Sequence, residues 1–234
     1  MLQNLSLFQG SMLSAMDGEI GRILDFQFEA RSWTIRYVVA ETGGWLNFRK
    51  VLISPRSFAP DVLGLNPNGH GLLQVNLWRK KIADSPPFDS CHPITRLYEE
   101  EFHQHYGLPL YWCSPGLWHG ADPGPTPSAE GAFALLQNMD QADLRSTNAY
   151  QASSVHASDG IMGTLSDFRI DSANWLIREL LLETGHWYFG KEIRVRTGDV
   201  DHLQCEDSFV NVRLTRKDLR NTLSHHVAHA EQIT

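Results

Sequence analysis

The chain carries the same pattern twice, so it has to fold as two like units. Asp17-Gly18-Glu19-Ile20-Gly21 returns 142 residues later as Asp159-Gly160-Ile161-Met162-Gly163. Held without a gap over residues 17–53, that offset gives 12 identities in 37 positions. Asp25-Phe26 meets Asp167-Phe168, Trp33 meets Trp175, and Ile35-Arg36 meets Ile177-Arg178. Glu41-Thr42-Gly43 meets Glu183-Thr184-Gly185, and Trp45 meets Trp187. Farther on, Val75, Leu77, Arg79-Lys80 and Ile82 align with Val212, Leu214, Arg216-Lys217 and Leu219 at an offset of 137, so one loop of the second copy is five residues shorter. Self-similarity at a fixed spacing constrains the fold before any single motif does.

Each copy reads as β structure. Residues 22–29 alternate, with Leu24, Phe26 and Phe28 on one face. Residues 33–40 are rich in β-branched and aromatic side chains, with Trp33, Ile35, Tyr37 and Val39 sharing a face. Gly18, Gly21 and Gly43, with Gly160, Gly163 and Gly185 in the second copy, supply the backbone freedom that tight turns require. Residues 49–54 and 72–78 bring the count to about five or six short strands per copy, the spacing of a small β-barrel. Pairing Phe28 with Trp33 puts Phe26 opposite Ile35 and Asp25 opposite Arg36. The same register sets Asp167 opposite Arg178. Two exposed cross-strand ion pairs are expected, each contributing ~0.2–1 kcal/mol.

The two copies, residues 1–84 and 141–224, are separated by a segment of different character. Ser85-Pro86-Pro87 opens it, and Asp122-Pro123-Gly124-Pro125-Thr126-Pro127 marks an extended stretch. Within it Ile94, Leu97, Tyr98, Phe102 and Tyr106 recur at helical spacing, with Gly107 placed to end the helix. A helix over 94–106 is predicted, with Glu99-Glu100-Glu101 on its solvated face. Residues 225–234 form a polar, histidine-containing tail.

Composition excludes several partners. With 20 basic against 27 acidic residues the formal charge is −7, so a basic face for duplex nucleic acid is disfavoured. No run reaches the roughly 18 apolar residues a membrane helix needs, and residues 1–10 lack the basic start of a secretory signal. Cys91, Cys113 and Cys205 are odd in number and show no paired spacing, which fits a reducing cytoplasm.

The run Asp-Gly-x-Ile-Gly, Asp-Phe, Trp-x-Ile-Arg-Tyr-Val-Val, Glu-Thr-Gly-Gly-Trp and Arg-Lys-Val-Leu-Ile-Ser-Pro resembles the PRC-barrel family. That β-barrel occurs in the cytoplasmic part of the photosynthetic reaction centre H subunit and in the ribosome-maturation factor RimM. The first copy carries the resemblance over about residues 11–82. The second, about 150–220, departs from it where His186 replaces the second glycine and Thr197-Gly198 replaces Ser-Pro. The connecting helix also resembles the connector of bacterial proteins with two such barrels. The resemblance implies two barrels that act by contact with another protein or a second copy of the chain. It implies no catalytic residue and no cofactor. A ribosome-maturation or reaction-centre role is a narrower alternative that the same resemblance suggests.

The remaining polar residues offer some chemistry. Cys91, His92, His103, His105, Cys113 and His119 are all able to bind metal, yet their spacing fits no zinc pattern. His225, His226 and His229 have helix-face spacing in the tail. A metal-dependent hydrolase built on these histidines is the enzymatic alternative. No nucleophile elbow or phosphate loop is present. The stronger signal is aromatic. Trp45, Trp187, Trp78, Trp112 and Trp118 are candidate contact residues, because tryptophan anchors interfaces.

Overall fold

The computed structural model describes residues 1–59, 72–113, 143–184, 192–204 and 209–218. The protein is mainly β, and no helix among those residues is long and apolar enough to cross a membrane. Two compact units are present. The first comprises Met1, Leu7–Ser146 and Asp171–Leu176; the second comprises Leu2–Ser6, Thr147–Ile170 and Ile177–Thr234.

The chain opens with β1 (Leu2–Asn4), which belongs to the second unit; in the first unit, after β2 (Met12–Ala15), the long strand β3 (Gly18–Glu29) is central. Along one edge it pairs antiparallel with β4 (Thr34–Thr42), which pairs in turn with β5 (Lys50–Ile53). Its other edge takes β2, and β2 pairs in parallel with β6 (Leu72–Gln74). Beyond β5, Phe58 makes an isolated antiparallel bridge to Val75. There Ala59 N donates to Gln74 O at 3.2 Å and Asn76 N to Ser57 O at 2.7 Å. Helix α1 (Arg79–Ala83) and helix α2 (Arg96–Tyr106) follow. Strand β7 (Leu144–Ser146) then lies on β3 at Gln27–Glu29.

The second unit repeats the plan. After the short helix α3 (Thr147–Tyr150) come β8 (Ser154–Ala157), β9 (Gly160–Asp171), β10 (Leu176–Thr184), β11 (Glu192–Arg196), β12 (Val200–Gln204) and β13 (Phe209–Val212). Strand β8 pairs antiparallel with β9 and in parallel with β13, while β10 pairs with β11. The offset seen in the sequence holds strand by strand. Met12 faces Leu72 in the first unit, and Ser154 faces Phe209 in the second, 142 and 137 residues later. Even the register shift recurs, after Leu13 in β2 and after Val155 in β8. The offset also maps β1 onto β7. The second unit lays β1 on β9, whereas the first lays β7 on β3.

The expected hairpin register is corrected. Phe28 faces Ile35, Phe26 faces Val38 and Asp25 faces Val39, with shifts after Ile23 and Gln27. Trp33 is not in the strand: it takes a left-handed backbone, φ 56°, and closes the turn by donating its N–H to Glu29 O. Trp175 does the same in the second copy at φ 57°, bonding Asp171 O. A bulky residue with positive φ is rare, and no alternation rule anticipates it. The ion pairs change accordingly. Arg36 pairs with Glu29, not Asp25, and Arg169 pairs with Glu179 at 2.7 Å. Asp25 accepts from Ser146 Oγ at 2.6 Å, and Asp167 accepts from Ser6 Oγ at 2.5 Å.

Strand β4 is buried on both faces, from Thr34 to Ala40. Tyr37, Val39 and Leu52 pack against Phe102 of α2, with Phe88, Ile94, Tyr98, Tyr106, Leu108 and Leu144 around them. By the two-residue period, Val38 and Ala40 face the other way, and both are fully buried. Helix α2 begins where Thr95 Oγ1 accepts from Tyr98 N at 3.2 Å, and ends at Gly107 with φ 67°. Gly107 is thus the predicted stop. The predicted face holds at Ile94, Tyr98, Phe102 and Tyr106, but Leu97 is 67% exposed, and Glu99, expected on the solvated face, is completely buried.

Candidate functional site

Two clusters of side chains in the first unit are candidates for function. The first lies where the turn between β2 and β3, the loop after β4 and the start of α1 meet. Asp17 accepts the backbone N–H of Arg79 at 2.8 Å, satisfying one of the open donors at the start of α1. The Arg79 guanidinium lies over the Trp45 ring, 4.2 Å from its centroid. It also lies against Gly18, where an added Cβ would stand 3.2 Å from its Nη1. Trp45 Nε1 donates to Ile20 O at 2.6 Å, and Gly43 N reaches the same carbonyl at 3.0 Å. Asp-Gly, Thr-Gly-Gly-Trp and the downstream arginine are therefore parts of one clamp. The second unit shares its core: Asp159 accepts from Arg216 N at 3.0 Å, and Arg216 also donates to Ile161 O beside Gly160.

Gly21 has a different task. A Cβ there would stand 1.8 Å from Glu41 O, and at Gly163 a Cβ would stand 2.3 Å from Glu183 O. Only glycine lets these neighbouring strands come so close. Gly43 is not a positive-φ turn residue as expected; its φ is −72°, and Asn47 and Phe48 take the left-handed conformation instead.

Three large apolar side chains stand exposed near the clamp, among the charged Asp17, Glu19, Lys80 and Lys81. Met16, whose N–H bonds Leu77 O, is 54% exposed; Phe48 is 68% and Trp78 57% exposed. Trp45 is half-buried and occupied by its own contacts. Trp78 is thus the freer of the two candidate anchors. Trp112 is half-buried, with the Arg96 guanidinium 4.1 Å from its ring centroid. Trp118, Trp187 and Gly185 lie outside the described residues.

The second cluster is buried under α2. Glu99 Oε1 shares a hydrogen bond with the Tyr37 hydroxyl at 2.7 Å, and the carboxyl accepts from Tyr111 OH at 2.8 Å and Arg96 Nη1 at 2.7 Å. His103 Nε2 is 3.1 Å from the same Tyr37 oxygen, and its Nδ1 is 2.9 Å from Pro109 O. Arg36 stacks on the Tyr111 ring at 3.9 Å and pairs with Glu29. Burial raises Glu99 above the ordinary carboxyl range despite these donors, and burial lowers His103. Burial, then the neighbouring Glu99, pushes the Tyr37 phenol well up. For Glu29, burial acts upward, but Arg36 and the Ser32 hydroxyl outweigh it and the carboxyl is lowered. Sequence reading missed this cluster, because a triple-glutamate run looks like a solvated helix face. The available signal was the i, i+4 spacing of Glu99 and His103, which puts both on the Phe102 side.

Among the described residues no three His, Cys, Asp or Glu side chains gather closely enough to hold a metal ion. His103 is in the buried network, His105 Nε2 is bonded to Lys81 O at 2.7 Å, and His92 pairs with Asp89 at 2.8 Å beside the exposed Cys91. The Cys113 side chain, Cys205, His119, His225, His226 and His229 lie outside the described residues. No family model matches the chain, and no curated protein matches it.

Proposed function

We propose that the protein is a non-catalytic contact module of two PRC-type barrels, acting in the cytoplasm by docking on another protein or on a second copy of itself. The barrel reading is supported by the Phe58–Val75 bridge, which brings the chain beyond β5 onto the strand edge beyond β6. It is supported too by the strand-for-strand recurrence of parallel pairing, β2 with β6 and β8 with β13. The observation that carries the function is the placement of polar and apolar groups. Glu99, His103, Tyr37 and Tyr111 of the first unit are turned inward and bonded to one another, whereas Met16, Phe48 and Trp78 stand out near the clamp. Large apolar side chains on a fixed frame are suited to recognition rather than to reaction.

The test is a comparison of Trp78→Ala and Phe48→Ala with the parent protein. Sedimentation measures self-association, and capture from the native cell measures hetero-association. The reading expects one association to weaken at least tenfold in either variant while the circular dichroism spectrum is unchanged. Equal association by parent and both variants would remove this surface as the docking site.

A further inference from the structure

Three atoms under α2 follow one another at hydrogen-bond distance in a single line of contacts: Glu99 Oε1, the Tyr37 hydroxyl oxygen and His103 Nε2, at 2.7 and 3.1 Å. His103 Nδ1 faces the carbonyl of Pro109, which can only accept, so that nitrogen carries a hydrogen. Two hydrogen bonds along the line need two protons, and Tyr37 supplies one. The second resides either on Glu99 as a neutral acid or on His103 Nε2 as an imidazolium. Without it, one of the two contacts sets lone pair against lone pair in a buried place.

We propose that α2 is held on β4 by a single shared proton in the Glu99–Tyr37–His103 line, which makes the helix a proton-dependent latch over Tyr37, Val39 and Leu52. The proton resides on Glu99. Burial disfavours charge on both end groups, raising the acid and lowering the imidazole, so the neutral pair is the better filled state. Other charged and titratable groups surround the line. They are Glu29 of β3 paired with Arg36 of β4, Arg56 beyond β5, and Arg96 of α2, with Tyr111 as the second phenol on Glu99.

The sign follows from the two shifts. Glu99, raised above 4.5, stabilises fully below that pH, and its contribution is lost as pH rises through its folded value. His103, lowered below 6.5, stabilises above that pH and loses its contribution as pH falls through its folded value. The Glu99 part of the latch therefore slackens as pH rises above about 4.5, and the His103 part slackens as pH falls below about 6.5.

The experiment measures chemical unfolding of the full chain and of Glu99→Gln from pH 5 to pH 8. Glutamine keeps a donor and an acceptor but cannot release a proton. The folding constant of the parent relative to Glu99→Gln is expected to fall at least about tenfold across that range. A ratio that stays constant overturns the proposal. If Glu99→Gln does not fold, the parent labelled with carbon-13 at glutamate carboxyls decides by infrared absorption. A protonated carboxyl band at pH 6 that disappears on raising the pH supports the latch, and its absence at pH 6 overturns it.

Discussion

Replacing Gly21 by alanine probes the closest approach in the fold, and its cost can be assembled from two separable parts. The residue has φ +153°, a region L side chains rarely adopt, and a methyl group there would stand 1.8 Å from Glu41 O. Gly10 isolates the first part: its φ is +78° and nothing lies within 4 Å of an added Cβ. Gly10→Ala should therefore cost only the backbone strain, ~1–2 kcal/mol. Gly163 isolates the second part, since the structure gives it a contact at 2.3 Å with Glu183 O and no positive φ. Gly163→Ala should force β9 and β10 apart locally and cost ~2–3 kcal/mol, the range of overpacking. Gly21→Ala combines both and should reach ~3–5 kcal/mol, enough to consume a large share of a domain's net stability. Urea unfolding followed by circular dichroism ranks the three. The order Gly21, Gly163, Gly10 is expected; Gly21→Ala within about 0.5 kcal/mol of the parent would refute the close-approach account.

The clamp and the Glu29 pair give two further expectations. Asp17→Ala and Asp159→Ala each remove the acceptor for the backbone N–H of the clamp arginine, Arg79 or Arg216, and each should lower stability by ~1 kcal/mol, with Asp17→Asn recovering most of it. Glu29 is lowered from 4.5 in the folded protein, so its contribution is present above that pH and is lost as pH falls through its folded value. Glu29→Gln should cost ~2 kcal/mol at pH 7 by weakening the bond to the buried Arg36, and should flatten the acid limb of stability between pH 7 and pH 3. An acid limb identical to that of the parent would show that Arg36 does not depend on this carboxylate.

The repeat was legible because its identities fall where chemistry is unforgiving. Asp17, Gly18, Gly21 and Trp45 each answer a steric or hydrogen-bonding demand that few residues meet, and Asp159, Gly160 and Gly163 answer it again. Alternation found the strands but not their register. It assumes an unbroken two-residue period, and β3 and β4 are broken twice by shifts that leave no mark in apolar pattern. Trp33 read as a strand residue for the same reason, though its ring still finds Phe28, 5.3 Å away. The helix was placed within two residues at its start and its apolar face was found, except that Leu97 and Glu99 exchange sides. Polar side chains were counted as solvent-facing, whereas Glu99 and His103 are buried because Tyr37, Tyr111, Arg96 and Pro109 O supply their partners. Arg96 lies one turn away on the same helix and Pro109 and Tyr111 follow it closely, but Tyr37 comes from β4, 62 residues before Glu99, and that pairing leaves no local mark.

Strand β7 has one last implication, for anyone who would cut the gene in two. The boundary suggested by the repeats falls before residue 143, but Leu144 belongs to the cluster around Phe102, and Ser146 supplies the hydroxyl for Asp25. A recombinant half ending at that boundary would leave backbone donors and acceptors bare beside Gln27–Glu29. An open strand margin of that kind recruits whatever extended peptide is nearest, so the shortened product would tend to aggregate although every residue of the first repeat is present.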